Sequence, residues 1–297
     1  MTTLRIKTSR FFDGERLHSD ESITVTVRGN RIAAVSGQTA PQGEAADARE
    51  IDASSLTILP GLIDAHFHPV SASFDVASID RSHPSLRALD ARRHLESALL
   101  RGFTTVRDAG GGDIGTAEAV LRCIHNGVRS IEHGTLMDRR SADAVAEAGA
   151  FVVPTLAIVD ALRQDATRLP PGAAEKLNMI ADQNAESLAV CAAAGVKLGF
   201  GTDLFGQLRD RQAHEFISRG RVQSAAEVIR SATRVNAELV NMSGQIGTIA
   251  TGAFADIIGV AGDPFQDLRV LAEPETHLKL VIRGGEIVLN RLTESQS

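Results

Sequence analysis

The sequence predicts an α/β protein, with parallel strand–helix units in the middle of the chain and β-rich segments at both ends. Two patterns lead to this class. Short apolar strands alternate with amphipathic helices through the middle of the chain, as in βαβ units. The first sixty residues and the end of the chain instead read as strands joined by tight turns. At 297 residues the chain can hold one large domain or two smaller ones.

Both ends of the chain contain a predicted β-hairpin. Residues 23–35 read as two strands that turn at Gly29-Asn30, a pair that tolerates the backbone of a tight hairpin turn. Near the other end, residues 280–282 and 286–288 flank Gly284-Gly285. We therefore expect one small β-domain, a composite β-sandwich, built from residues 1–60 plus 246–297.

The middle of the chain, residues 61–245, carries the strand–helix units. Five segments are predicted strands, at 61–67, 103–108, 129–133, 150–155 and 196–202. Predicted helices cover 85–101, 173–194 and 225–241, and each has an apolar stripe that we expect to pack on the core. In the first of them this stripe contains Ala91, Leu95, Ala98 and Leu99. The third opens with a capping box from Ser224 to Glu227.

Composition narrows the function classes. The net charge is −6 without a basic block, so nucleic acid is not an expected partner. No apolar run approaches the length of a membrane span, and the first residues lack the apolar core of a signal peptide. Cys123 and Cys191 have no metal-binding spacing and are expected as buried apolar residues in a reducing cytoplasm. A homo-oligomer is compatible with this composition.

The most informative motif ends the first of the five strands. His66 and His68 are spaced i and i+2, so both imidazoles lie on one face while Phe67 points to the other. Two neutral imidazoles at the end of a strand suit a divalent metal such as zinc. Asp64 lies on the same face and is placed to orient one of the ligands.

The stretch from Pro60 to His68 resembles the strand-one motif of the amidohydrolase superfamily of metal-dependent hydrolases. Further stretches are similar to its branch with imidazolonepropionase-like and Xaa-Pro dipeptidase-like members, and they occur in the order of that family. These stretches are Gly102 to Gly110, Ser130 to Gly134, Phe200 to Asp203, Gly252 to Asp256 and Gly262 to Pro264.

The resemblance implies that part of the usual fold is missing. A (β/α)8 barrel needs eight strands and typically about 250 residues, whereas residues 61–245 leave about 185 residues and five strands. The family's strands three to five have no counterpart here, which points to an internal deletion of about a hundred residues near Gly115–Thr116. We therefore predict an incomplete TIM-like barrel with strand order 6-7-8-1-2.

The resemblance also implies a set of metal ligands. His66 and His68 match strand one, His133 matches strand six and Asp203 matches strand eight. The strand-four Lys, which is carbamylated in the family, and the strand-five His have no match. Lys176, Lys197 and His125 occur elsewhere in the pattern and do not replace them. One zinc ion is therefore expected rather than two, with His133 further from the metal than the other three ligands.

These residues predict a metal-dependent amidohydrolase that cleaves an amide or dipeptide C–N bond of a small molecule through metal-activated water. Asp203 is the expected catalytic residue, which takes and returns the proton. Because the loops after three strands are missing, the activity of this chain is expected to be impaired. Two alternatives stay open. One is a non-catalytic remnant that is unstable or depends on a partner, and the other is a hydrolase or deaminase of a cyclic amide or amidine.

The remaining polar residues are assigned no chemistry. Arg107 and Asp108 are expected to form a structural pair at the end of strand two. The other six histidines are expected on helix faces or on the surface, and they are His18, His83, His94, His125, His214 and His277.

Overall fold

The computed structural model describes residues 3–37, 48–71, 73, 81–109, 117–164 and 173–292. The Gly115–Thr116 junction lies outside these residues. Thirteen strands occur in the described part of the chain. They are β1 (Thr3–Phe12), β2 (Leu17–Arg28), β3 (Arg31–Ser36), β4 (Arg49–Asp52), β5 (Thr57–Pro60), β6 (Leu62–Phe67), β7 (Phe103–Asp108), β8 (Ser130–Glu132), β9 (Phe151–Val153), β10 (Lys197–Leu198), β11 (Ile257–Val260), β12 (Leu278–Arg283) and β13 (Glu286–Asn290).

The strands from both ends of the chain share one sheet of eight strands. Its order is β13-β12-β11-β5-β1-β2-β3, with β4 paired to β1 beside this path. Strand β5 joins the two ends, because it pairs with β1 on one side and with β11 on the other. The predicted hairpin around Gly29-Asn30 is confirmed, since Arg28 lies opposite Arg31 in the antiparallel pair β2–β3.

The strands of the predicted β-sandwich are hydrogen-bonded as one continuous sheet with a shared apolar core. Buried side chains of β1, β2, β5, β11 and β12 form a single apolar cluster. The turn between β12 and β13 lies directly against the turn between β2 and β3, where a Cβ atom on Gly285 would meet the carbonyl oxygen of Gly29 at 1.9 Å. Only glycine permits this close approach of the two turns.

Two smaller parallel sheets form the middle of the molecule. Strands β8, β9 and β10 pair side by side in one, and β6 pairs with β7 in the other. The segment that follows β10 connects the two sheets, because the Ala65 amide of β6 donates to the Phe200 carbonyl at 2.9 Å. The five strands therefore lie in the spatial sequence β8-β9-β10-β6-β7.

Helices cover the outside of these strands, and the mixed α/β class is confirmed. The described helices are α1 (Pro84–Leu100), α2 (Ala117–His125), α3 (Arg139–Glu147), α4 (Leu156–Gln164), α5 (Ala173–Ala193), α6 (His214–Gly220), α7 (Ala225–Arg230), α8 (Asn236–Leu239), α9 (Arg269–Ala272) and α10 (Pro274–His277). A 3-10 turn covers Gly206–Arg211, and a π-helical turn, Ser231–Val235, joins α7 to α8. The capping box of Ser224 and Glu227 is confirmed. Within the described residues, none of the helices has the length and apolar character needed to cross a membrane.

Helix α1 packs less completely than its apolar stripe predicts. Ala98 is buried, but Leu95 is 41% exposed and Leu89 is 58% exposed. Leu95 lines an open groove of about 590 Å³ between α1 and β7. The prediction that Leu95 packs on the core is therefore wrong. The physical reason is that, in the described part of the chain, β7 pairs only with β6 and leaves the groove beside α1 open.

Helix α6 carries two fully buried ionisable residues, Glu215 and Arg219. Glu215 Oε2 accepts a hydrogen bond from the Ala157 amide at 2.6 Å, and Arg219 Nη1 donates to the Gly199 carbonyl at 2.7 Å. Burial raises the pKa of Glu215 from 4.5 to about 8, although the Arg219 charge and the Ala157 hydrogen bond oppose the shift. The carboxyl group is therefore held in its neutral form near pH 7.

This raised pKa predicts a pH dependence of folding stability. Between pH 4.5 and about 8, Glu215 ionises in the unfolded chain but stays protonated in the folded one. The folded state then binds more protons, so the free energy of unfolding falls as the pH rises through this window, by up to about 1.4 kcal/mol per pH unit. We expect Glu215→Gln to flatten this slope in denaturant titrations of metal-free protein. Glu238→Gln, at a surface ion pair with Lys197, is the matched control. An unchanged slope in Glu215→Gln would contradict the assignment.

Candidate metal centre

Strand β6 places the first histidine of the motif in the interior. All six of its residues are buried, and the His66 side chain is 1% exposed. The chain after β10 runs alongside β6, because the Asp203 amide donates to the His66 carbonyl at 2.9 Å. Gly201 allows this approach, since a Cβ atom there would lie 2.5 Å from the Cβ atom of His66. Asp203 is thereby carried to the end of β6.

The backbone turns sharply at two of the predicted ligands. His133 has φ 66° and Asp203 has φ 54°, both in the left-handed region that non-glycine residues seldom adopt. Each residue directly follows a strand or its extension, so the turn redirects its side chain from the strand end toward β6. Backbone strain of this kind is concentrated at functional sites.

The four predicted ligands come together at this end of the strands. The Asp203 Oδ1 atom lies 2.9 Å from His68 Nε2 and 3.3 Å from His66 Nε2, and Asp203 Oδ2 lies 4.0 Å from His133 Nδ1. His66, His133 and Asp203 each offer a ligand atom within 4.8 Å of the other two.

His133 lies further from Asp203 than His68 does, as predicted, but it lies closer to His66 than expected. Its ring centroid is 4.8 Å from that of His66, closer than the 5.1 Å between His66 and His68. The reason is that β8 lies across from β6, and the turn at His133 directs its ring inward. His68 instead forms a hydrogen bond with Asp203 Oδ1 through its Nε2 atom.

The side chains fit a divalent metal. The Nε2 atom of His66 is fully buried and makes no hydrogen bond of good geometry within the described residues. An unpartnered imidazole nitrogen in the interior is costly unless a ligand occupies it. Two imidazoles and one carboxylate form a donor set typical of catalytic zinc, with room for a fourth ligand.

The charges of the site are strongly coupled. Burial lowers the pKa of His66, but contacts with Asp203 and Glu132 outweigh this and raise it to about 9. Burial raises the pKa of Asp203, but His66 and His68 outweigh it and hold the pKa well below its usual range. Burial lowers the pKa of His133 despite the nearby Asp203. In the metal-free protein a protonated His66 therefore compensates the carboxylates.

Asp64 was expected to orient a ligand side chain, but it hydrogen-bonds the backbone of His66 instead. It is fully buried and accepts hydrogen bonds from the His66 amide at 3.1 Å, Thr202 Oγ1 at 2.7 Å and Gln212 Nε2 at 2.9 Å. Burial raises its pKa against these hydrogen bonds. Asp64 therefore ties β6 to the Asp203 segment through backbone and side chain, and it does not touch the ring of His66.

Sequence reasoning missed Glu132 and misassigned Arg107. Glu132 Oε2 lies 2.8 Å from His66 Nδ1, and Glu132 Oε1 accepts from Arg107 Nη2 at 2.6 Å. Arg107 was expected to pair with Asp108, yet its guanidinium contacts Glu132, Ser130 and the Ala65 carbonyl. The available signal was a carboxylate in the short strand directly before His133.

His94 lies on helix α1, as expected, and its side chain is buried. Its ring lies 4.2 Å from that of Phe67, and burial lowers its pKa to about 4. As expected from its position in the sequence, Lys197 is not among the candidate ligands, and it pairs with Glu238 at the surface. His125 lines an open groove of about 1080 Å³ between α2 and α3. Of the two cysteines, Cys191 is buried and Cys123 is half-buried.

A comparison with protein families finds the amidohydrolase family. Its model matches residues 57–129 and 114–288, and the two matched stretches overlap around the Gly115–Thr116 junction. Together they cover most of the chain.

Curated relatives match parts of the chain. An N-substituted formamide deformylase of Arthrobacter pascens is 48% identical over 67 residues, which are 22% of this chain and 12% of that protein. The ochratoxinase of Aspergillus niger is 28% identical over 174 residues, 57% of this chain and 35% of that protein. The chain therefore spans about a third or less of the length of these relatives.

Solved structures match along nearly the whole chain. A crystal structure of a prolidase complexed with N-methylphosphonate-L-proline is 27% identical with a TM-score of 0.89, covering 97% of this chain and 100% of that one. The similarity to this structure extends from the β-rich ends through the strands that carry the candidate site.

The Asp64 hydrogen bonds predict a stability effect. An Asn at this position keeps the size of the side chain but replaces one of its two oxygens with an NH2 group. Either the His66 amide, which donates to Oδ1, or Thr202 and Gln212, which donate to Oδ2, then lose their acceptor. We expect Asp64→Asn to lower the free energy of unfolding by about 1–3 kcal/mol for each donor left unpaired in the interior. Asp52→Asn, at an exposed turn where the carboxylate accepts from the Ser54 amide, is the control. Equal midpoints of denaturation for the two variants would refute the role of Asp64.

Proposed function

Because the chain belongs to the amidohydrolase family, we propose that it is a metal-dependent hydrolase of an amide-type C–N bond in a small molecule or dipeptide. The observation that carries the proposal is the group of His66, His133 and Asp203, whose ligand atoms lie within 4.8 Å of one another, with the buried Nε2 atom of His66 making no hydrogen bond of good geometry. The names of the relatives, an N-substituted formamide deformylase and a prolidase, support a substrate with a C–N bond.

A single zinc ion is the proposed cofactor. His66, His133 and Asp203 would hold it, and His68 lies beside Asp203 as the fourth residue of the site. No match exists for the carbamylated Lys and the strand-five His that the family resemblance implies for a second metal. When bound, a zinc ion polarises a carbonyl group and lowers the pKa of a coordinated water.

Asp203 is the proposed general base and acid. Its carboxylate would accept the proton of the attacking water and return it to the leaving nitrogen. His68 donates to Asp203 Oδ1, which orients the carboxylate and leaves Oδ2 facing His133. The low pKa of Asp203 keeps it ionised but also limits its strength as a base.

We interpret residues 61–245 as an incomplete TIM-like barrel, with β8, β9, β10, β6 and β7 as strands 6-7-8-1-2. The remaining described strands belong to the composite domain of residues 1–60 and 246–297. The two overlapping family matches support a deletion near Gly115–Thr116. Barrel active sites lie at the carboxyl ends of the strands, where the four ligands meet.

The alternative is a non-catalytic remnant that binds a partner. The open groove beside Leu95 and the exposed leucines of α1 favour it, because apolar surface of this kind is usually covered. Measuring bound zinc distinguishes the hydrolase from the remnant, because a non-catalytic remnant does not need a bound ion.

The first test of the proposal is metal binding. We expect purified protein to bind about one zinc ion per chain, measured by elemental analysis after dialysis against zinc. His66→Ala and Asp203→Ala each remove a ligand and should abolish retention of the ion. His125→Ala, which changes a histidine outside the ligand set, should retain it. Full zinc content in His66→Ala would overturn the assignment.

The second test is catalysis. With loops and a bridging ligand missing, a loss of about 4 kcal/mol of transition-state stabilisation would cost roughly a thousandfold in rate. We expect kcat/KM for N-acyl amino acids and Xaa-Pro dipeptides, with added zinc, to be about a thousandfold lower than for a chain restored to family length. Comparable values would show that the five strands alone carry the chemistry.

A further inference from the structure

The two carboxylate oxygens of Glu132 face different hydrogen-bond partners. Its Oε1 atom accepts from Arg107 Nη2 at 2.6 Å and from Ser130 Oγ at 2.9 Å, and its Oε2 atom lies 2.8 Å from His66 Nδ1. The carboxylate is 19% exposed and the ring of His66 is 1% exposed. Contacts with other protein groups, rather than with water, therefore fix the positions of both side chains.

We propose that Glu132 is a positioning residue that keeps the proton of His66 on Nδ1 and so presents Nε2 as the bare nitrogen to the metal. The tautomer assignment follows from this chain's own contacts, and its consequence for metal binding rests on the proposed function. A carboxylate that accepts from the far nitrogen of a ligating histidine fixes both the tautomer and the orientation of the ring.

Because of Arg107, only a carboxylate at position 132 can accept a hydrogen bond from His66 Nδ1. A guanidinium has only donors, so the atom that faces it must be an acceptor. Arg107 is itself fixed, because its Nε donates to the Ala65 carbonyl at 2.6 Å and its Nη1 to Ser130 Oγ at 3.1 Å. With one oxygen committed to Arg107, the second must also be an acceptor if His66 Nδ1 is to carry a proton.

Glutamine at position 132 would reverse the tautomer. Its single oxygen has to face Arg107, which turns its amide NH2 group toward His66. That group is a donor, so Nδ1 must accept and the proton moves to Nε2, where it blocks the metal position. The shape of the side chain is unchanged, so the effect is on the proton and not on packing.

The position of Arg107 depends on the contact between two separate sheets. Arg107 lies on β7, whereas Ser130 and Glu132 lie on β8, and the two strands share no backbone pairing in the described chain. The guanidinium thus joins the outer strands of the five-strand arrangement and reaches the carbonyl of Ala65 beside His66. The hydrogen bonds of Arg107 that connect β7 to β8 therefore also help to orient the candidate ligand His66.

The decisive readout is the tautomer of His66 in metal-free protein. We would label histidine with ¹⁵N, follow His66 through a pH series to its neutral form, and assign it by its loss in His66→Ala. In wild type, Nδ1 should give the signal of a protonated nitrogen. In Glu132→Gln it should give that of a bare nitrogen, while Glu238→Gln should match wild type. A protonated Nδ1 in Glu132→Gln overturns the proposal.

Zinc affinity provides the second readout, by competition with a chromogenic chelator. We expect Glu132→Gln to bind zinc about 10- to 100-fold more weakly than wild type and than Glu238→Gln. Unchanged affinity overturns the proposal. If wild type does not bind zinc, the proposed function fails, and the tautomer of His66 alone decides this inference.

Removing Arg107 should rescue the variant. In the double variant Arg107→Met with Glu132→Gln, the glutamine is free to turn its oxygen to His66, since the Ser130 hydroxyl can accept from its NH2 group. Nδ1 should regain its proton, and zinc affinity should recover to within about tenfold of Arg107→Met alone. A simple packing defect predicts the opposite, a further loss. If the double variant does not fold, the Glu132→Gln tautomer decides.

Discussion

The candidate site depends on the backbone contact between β6 and the segment that follows β10. Two amide groups in this segment, those of Thr202 and Asp203, donate to the single carbonyl of His66. The contact requires Gly201, because any side chain there would collide with His66 and Val153. Without it Asp203 would have no fixed position relative to the histidines, and neither the cluster nor its charges could form.

Asp64 reinforces the same contact with side-chain hydrogen bonds. It accepts from Thr202 on one segment and from the His66 amide on the other, so one buried carboxyl group joins both partners. Its third donor, Gln212, also accepts from Arg101 at the end of α1. The position of the candidate ligands is thereby coupled to a helix that flanks β7, because three hydrogen-bonded residues, Arg101, Gln212 and Asp64, connect α1 to the site.

Local patterns in the sequence were sufficient to locate the five central strands and the residues of the candidate site. Apolar runs bounded by glycine located the strands, and the i, i+2 spacing placed His66 and His68 on one face. Long-range features were not predictable in this way. The inward position of His133 depends on a left-handed backbone conformation, and the partners of Glu132 depend on how two sheets approach. The exposure of Leu95 depends on which strands are present beside β7, which a helical stripe cannot reveal.

Alternating charges explain why such a site can exist in the interior. Arg107, Glu132, His66 and Asp203 follow one another with opposite sign, so each buried charge has a compensating neighbour. The raised pKa of His66, about 9, shows that the two carboxylates favour a positive charge between them. A divalent cation placed at Nε2 would supply that charge in exchange for the proton. If the proposed zinc ion binds here, the arrangement that stabilises the metal-free protein is also the one that would attract the metal, and proton and metal would compete for Nε2 of His66.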